Sequence, residues 1–304
     1  MKITEQFKTQ YLDYLRRYLP QEITQNTDFL NAVFTGLDEL TELSAPEVCA
    51  ARKNGLAISC ESTDLAERML KLANGNEFIA GARFKNLDIN FPFIEITPAT
   101  EMSPEILCEI SRIVQDQFKN LRPKGLKFKS KPTAHSNFEQ WSHTVFGRIE
   151  KKEISQIPTG LDLSFTQNLD WHQRYATEYY ERIAEKQELN GFVRVGQLDE
   201  FQESAKDQAL LVASDADGFC GVIAGTNNPL YGLSAIYMIE SYLSKRWVGK
   251  KLAPIAHDFF LNELAKKYDY VWGTIYAKNL SSLKTALRVG RRIIETEYFV
   301  RFDD

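Results

Sequence analysis

The succession of strand-like and helix-like stretches in this chain runs through once and then repeats. In the second half, "ALLVAS", "GFCGVIAG" and "AIYMIESYL" read as strands. A helix with apolar residues at 252, 255, 256, 259, 260 and 264 follows, then a strand "YVWGTIY", a helix beginning at Asn279 and a last strand "RIIETEYFVRF". Helices around 170–188 and 197–206 come before these strands. In the first half, "EFIAGARF" and "DINFPFIEIT" are β-rich, and "SPEILCEISRIVQDQF" is a helix with Ser103 as its cap and Pro104 at its first position. A strand "GLKFKSK" and a helix "SNFEQWSHTVFGRI" complete that half, with Asn137 and Asn279 as matching helix starts. Ahead of it, amphipathic stretches near 5–17, 27–42 and 62–74 flank a short strand, "LAISCES".

A doubled rhythm of this kind implies two α/β domains, each a mixed, mainly antiparallel sheet flanked by helices. The expected division is 1–153 and 154–304, in the polar segment "EKKEISQIPTG" with its Pro158 and Gly160. A length of 304 residues suits two domains, and 43% hydrophobic with 26% charged residues is a globular composition. The net charge of −4 argues against nonspecific nucleic-acid binding, which needs a basic surface to displace counterions. Charges interrupt every apolar run near the N-terminus, and no run approaches a membrane span, so no membrane partner is expected. Cys49, Cys60, Cys108 and Cys220 lack CxxC spacing, and the four histidines lack metal-ligand spacing. No metal is expected, and a reducing cytoplasm is the simplest location.

The chemistry concentrates in "ESYLSKRWVGKKLAP", residues 240 to 254, where a strand runs into a basic turn with one glycine and then a helix. Amides at a helix start, together with the positive end of its dipole, bind phosphates. Lys250 and Lys251 are open to two readings, as a solvated first turn or as phosphate contacts; cations at a helix start oppose the dipole, which makes a nearby anion the better account. Glu240 is equally open, as a strand-edge carboxylate or as a general base if burial raises its pKa. Asn279 has the residue type of a helix N-cap, and Gly290 that of a C-cap. His257 lies one turn inside the helix and is expected to pack on the sheet or face solvent. The first-half counterpart of the turn, "ITPATEMSPEIL", has no glycine and carries Glu101 and Glu105, which would repel phosphate.

The turn resembles that of the GNAT acyltransferase superfamily, in which a strand enters an arginine–glycine–x–glycine–x–glycine/alanine loop and a helix. In that superposition Val248 takes the family's first position, Gly249 and Lys250 the next two, Lys251 its central glycine and Ala253 its last small residue. A second match follows in "TIYAKNLSSLKTALRVGR": Asn279, Ser282 and Gly290 agree with the family pattern, while Ala286 replaces its tyrosine. The resemblance covers about the last 140 residues. It implies an acetyl-CoA-dependent N-acyltransferase in the C-terminal domain, with Tyr242, Leu243, Val248, Gly249, Lys250, Lys251, Leu252, Ala253, Asn279 and Ser282 as cofactor contacts. Glu240 is the implied base, and Tyr298, with Tyr242 and Tyr276 as alternatives, stands in for the missing tyrosine. The implied acceptor is a small-molecule or peptide amine, the protein a monomer or homodimer, and the N-terminal domain a degenerate unit without cofactor. The competing expectation is a non-catalytic interaction protein on two degenerate units. It draws on Val248, Lys251 and Ala286, which all depart from the pattern.

Overall fold

A computed structural model describes residues 1–132, 135, 138–154 and 156–302. In chain order the helices and strands of the first half are α1 (Glu5–Tyr18), α2 (Gln21–Thr24), α3 (Phe29–Glu42), α4 (Pro46–Leu56), β1 (Arg68–Lys71), β2 (Glu77–Phe84), β3 (Pro92–Pro98), α5 (Pro104–Gln117), β4 (Gly125–Ser130) and β5 (Glu139–Arg148). The second half adds β6 (Asp162–Phe165), α6 (His172–Glu185), α7 (Leu198–Lys206), β7 (Leu210–Asp215), β8 (Gly218–Asn227), β9 (Ala235–Leu243), α8 (Leu252–Leu264), β10 (Tyr270–Tyr276), α9 (Leu280–Arg288) and β11 (Arg292–Arg301). The chain divides into two compact units, Met1–Ser142 with Ile294–Asp304, and His143–Ile293. The last strand of the chain is therefore mostly part of the first unit.

The first unit has the strand order β1-β2-β3-β4-β11. Its pairs are antiparallel except for β3 and β4, which run parallel around the crossover helix α5. One face of this sheet packs on α5: Leu107, Ile110 and Val114 meet Ile94, Ile96, Leu126, Phe128 and Tyr298. The other face joins Ile79 to Phe7 of α1 and Leu37 of α3. Charged residues on β2, β3, β4 and β11 form a ladder there, Arg83 to Glu95 at 3.0 Å, Glu95 to Lys127 at 2.8 Å and Lys127 to Glu297 at 3.1 Å.

The second unit orders its strands β6-β7-β8-β9-β10, with the His143–Arg148 part of β5 beside β10. Antiparallel ladders join β6 to β9, and β9 and β10 are parallel around α8. Tyr175 and Tyr179 of α6 and Phe201 of α7 cover Leu210, Val212, Val222 and Tyr242 on one face. On the other, Leu252, Phe260 and Leu264 of α8 cover Leu211, Ile223, Met238 and Val271. Pro254 is tolerated in the first turn of α8 because an N–H there has no intrahelical acceptor to lose.

Three local expectations change. The segment expected as helix 136–149 is strand β5 over its described part, and Asn137 lies outside the described residues. Thr144, Val145 and Phe146 suit a strand, and burial on both faces erases the alternation that would mark one. The stretch "LAISCES" is not a strand: it follows α4, whose C-cap Ala57 is left-handed, and leads into a short 3₁₀ turn at Ser62–Leu65. The expected helix 62–74 is instead that turn followed by β1.

Candidate functional site

Strand β9 carries the pivotal irregularity. Its ladder with β8 pairs Ala224 with Glu240 and then Gly225 with Met238, so Ile239 is an extra residue, a β-bulge. The bulge puts consecutive residues on one face. Ile239 packs on the α6–α7 cluster, and Glu240 meets Tyr175 of α6 on that same side. Close approach of the strands at this point requires Gly225, where a Cβ would come within 2.8 Å of Ile236 Cγ1. The parallel ladder of β9 with β10 covers Ala235–Tyr237 and Tyr270–Trp272. Both strands continue past it, β9 to Leu243 and β10 to Tyr276, so Glu240 lies just beyond the paired section.

Glu240 is held by two donors. The Tyr175 hydroxyl donates to Oε2 at 2.5 Å, and the Ser241 N–H to Oε1 at 2.7 Å. Burial pushes the carboxyl up to about 7, against the lowering effect of both hydrogen bonds and of Arg182. Next along the strand, the Tyr242 hydroxyl donates to Glu178 Oε2 at 3.1 Å, and the Ser244 hydroxyl donates to the same oxygen at 2.6 Å. Arg182 donates to the Leu243 carbonyl at 2.8 Å and sits 4.6 Å from the Tyr242 ring centre. Helix α6 thus fixes the end of β9 through Tyr175, Glu178 and Arg182.

The turn that follows is rigidly tied on one side and open on the other. Arg246 pairs with Asp215 at 2.9 Å and donates to the Phe219 carbonyl, while Trp247 Nε1 donates to Asp215 at 2.9 Å. Arg246 is thereby withdrawn from any ligand. The amides of Trp247, Val248 and Lys250 are spent on carbonyls within the turn. Gly249 (φ 83°) and Lys251 (φ 61°) are both left-handed. Lys251 thus keeps the backbone conformation that glycine adopts freely, at a cost to lysine of about 1 kcal/mol. It is also the N-cap of α8, which has no side-chain cap and no acid in its first turn. Val248, Gly249, Lys250 and Lys251 are exposed, Ala253 is half-buried, and the Leu252 side chain is in the core. The N–H groups of Lys251, Leu252 and Ala253 have no partner among the described residues. An open helix start flanked by two ammonium groups suits a pyrophosphate; Pro254 adds no donor.

The start of α9, at the end of β10, adds Asn279, whose side chain accepts from the Ser282 N–H at 3.4 Å as an N-cap. Gly290 (φ 99°) ends the helix: its N–H goes to Leu287 and that of Arg291 to Ala286, a Schellman pattern. The second unit therefore brings Glu240, the turn, Asn279 and Ser282 onto the ends of two adjacent parallel strands. Tyr298 is not among them. It lies in the first unit, fully buried against Phe128, with its hydroxyl donating to the Lys131 carbonyl at 3.1 Å. Tyr276, one of the two alternatives to it, stacks on Phe192 at 4.0 Å at the end of β10. Ala286 is core.

Sequence reasoning missed Tyr175, Glu178 and Arg182, whose spacing along α6 is that of any packed amphipathic helix. It left His257 either packed on the sheet or facing solvent; the side chain is buried, and its partner was missed: Nε2 lies 2.8 Å from Ser241 Oγ. Burial, aided by Arg291, pushes His257 down to about 3. With Ser241, Ala213, Ala253 and Ala256 it lines a small pocket of about 20 Å³ between α8 and the sheet, room for about one water.

No protein-family model matches the sequence, and no curated protein matches it. Solved structures do. The chain is similar to a GCN5-related N-acetyltransferase from Sphaerobacter thermophilus, at 12% identity over 86% of this chain and 95% of that one, with a TM-score of 0.50. It is also similar to a GNAT-family acetyltransferase from Colwellia psychrerythraea, at 8% identity over 75% and 86%, with a TM-score of 0.52. The fold is similar to those of these acetyltransferases, and each unit contains antiparallel strands, a crossover helix and a parallel strand.

Proposed function

We propose that the second unit is an acyltransferase that moves an acetyl or other acyl group from coenzyme A to a primary amine of a small molecule or peptide. One observation carries this reading: Glu240, placed by the bulge beyond the paired section of β9 and β10, has a carboxyl raised to about 7. Near neutral pH a large fraction of it is ionised, yet it is basic enough to take a proton from an ammonium or through a water. An acyl-CoA supplies the thioester when bound. Lys250, Lys251 and the open amides of Lys251, Leu252 and Ala253 hold its phosphates, with Gly249 giving the turn its shape. Tyr242, Leu243 and Val248 flank its path, and Asn279 and Ser282 border it from α9. The Tyr242 hydroxyl, engaged with Glu178, serves to position the strand.

A second reading, a non-catalytic interaction protein, is favoured by Ala286 in place of the family's tyrosine and by the withdrawal of Arg246. Incubating the chain with acetyl-CoA and a panel of primary amines, and measuring free thiol, separates the two. Thiol release that depends on an amine and is lost in Glu240→Gln supports transfer. Coenzyme A binding without release from any amine favours the interaction protein.

A further inference from the structure

The connection between α6 and α7 is anchored at Gly196. Its N–H donates to the Tyr175 hydroxyl at 2.9 Å, and its carbonyl lies 3.0 Å from His172 Nε2. A Cβ at Gly196 would stand 2.8 Å from Phe201 Cζ and 3.2 Å from the Tyr175 hydroxyl, so only glycine lets the backbone come this close. Tyr175 is fully buried, edge-on to Tyr179, Phe201 and Tyr242. Its ring cannot swing away without emptying that cluster. Because the hydroxyl oxygen already accepts the Gly196 N–H, its own proton has one direction left, toward Glu240 Oε2.

We propose that Tyr175 is a positioning residue for Glu240: its hydroxyl, oriented by the Gly196 amide, aims the carboxylate and stabilises its proton-accepting form. The proposal rests on the reading of Glu240 as the base and adds the group that governs it. The charged and titratable groups acting on this carboxyl are Tyr175, Tyr179 and Arg182 from α6 and Glu200 from α7, with the Ser241 amide from its own strand. Burial favours the protonated form and Glu200 adds to it; Tyr175 is the largest influence in the other direction, ahead of the Ser241 amide and Arg182. Burial and the adjacent Glu240 push the Tyr175 phenol far upward, so it stays a donor across the whole working range. Gly196 thereby links the α6–α7 connection to the basicity of Glu240 through one hydroxyl.

The test is an infrared titration of the full chain without acyl donor or amine. The Glu240 carboxyl band is isolated as the difference between the parent and Glu240→Gln. A midpoint near 7 is expected in the parent, and Tyr175→Phe moves it up by about one to two pH units, the size of a lost hydrogen bond to a charged group. Replacing Tyr175 with 3,5-difluorotyrosine keeps the ring and strengthens the donor, so the midpoint moves down; this variant decides the matter if Tyr175→Phe does not fold. A midpoint that stays put in the folded variants overturns the proposal. Midpoints that move as expected, with amine transfer unaffected by Glu240→Gln, uphold the link and overturn the role of Glu240 as base.

Discussion

The same turn is built twice in this chain, once closed and once open. In the first unit, β3 enters α5 through Ser103, whose side chain accepts the Ile106 N–H at 3.3 Å, and Pro104 follows at the first helical position. The Ser103 hydroxyl also donates to Glu105 at 2.7 Å, placing an acid against the positive end of the helix. Glu101, held below the usual carboxylate range by its hydrogen bond to Lys131, adds another negative charge. In the second unit, β9 enters α8 through Gly249 and a left-handed Lys251, with no cap and two exposed lysines. A serine cap contributes about 1 kcal/mol, and a well-placed acid roughly 0.3–1 kcal/mol more. Helix α8 forgoes both and places cations where the dipole opposes them. A fold that solves its turn locally in one place and leaves it unsolved in the other supports our proposal of the second as the phosphate site.

The strands before the two turns differ in the same sense. Glu95 on β3 is half-buried, and its loss of water alone would raise its carboxyl, but Lys127 and Arg83 override this and hold it low. Glu240 on β9 has hydrogen bonds and a more distant arginine, and stays high. One carboxylate is neutralised by a ladder of ion pairs, the other is left basic.

This contrast can be broken most decisively at the carboxylates. Glu240→Gln is expected to lower amine acylation by ~10²–10⁴ with coenzyme A affinity unchanged. Glu95→Gln should leave the rate as it is, even though it loosens the first sheet. Steady-state rates of both variants check this, and equal losses would erase the distinction. The next effect is on stability against pH. Folded Glu240 binds its proton more tightly than the unfolded chain does. Its stabilisation is therefore complete below its ordinary value of 4.5 and is lost as pH rises through about 7. Relative to the parent, Glu240→Gln should gain stability across that window in urea titrations at several pH values; a constant difference would mean the carboxyl is solvated. Ser103→Ala is expected to lower stability by about 1 kcal/mol without altering coenzyme A binding. The smallest change is expected for Lys251→Gly, where relief of left-handed strain offsets a lost charge and added chain entropy. A change in coenzyme A affinity beyond about threefold would give that ammonium more weight than the backbone.

The elements with local signals were legible in the sequence. Helix α5 begins where Ser103 and Pro104 place it, and β2, β9 and β10 match their apolar runs, because caps and β-branched clusters act within a few residues. The basic turn and Asn279 were legible for the same reason. Strand β5 was not, since burial on both faces leaves no alternation to read. Nor was the placing of β11 beside β4, a long-range pairing with no trace in its own residues. A cut of the chain after residue 153 would strip that strand from the first unit. The bulge at Ile239 is the costliest omission: strict alternation would turn Glu240 to the α8 face, away from Tyr175, and nothing in "AIYMIESYL" marks the extra residue. Tyr298 misled because proximity in sequence to the second-half motifs did not place it in the second unit.

The central claim is that the open turn of the second unit is the phosphate site, and calorimetric titration of coenzyme A into the full chain tests it most directly. Gly249→Val is the informative variant, since a β-branched residue resists φ 83° and distorts the approach to the helix start. One coenzyme A per chain is expected, weakened at higher salt, with a loss of about tenfold or more in affinity for Gly249→Val with the fold intact by circular dichroism. Affinity equal to that of the parent in a folded Gly249→Val chain would contradict that claim and leave "RWVGKKLAP" as a solvated helix start.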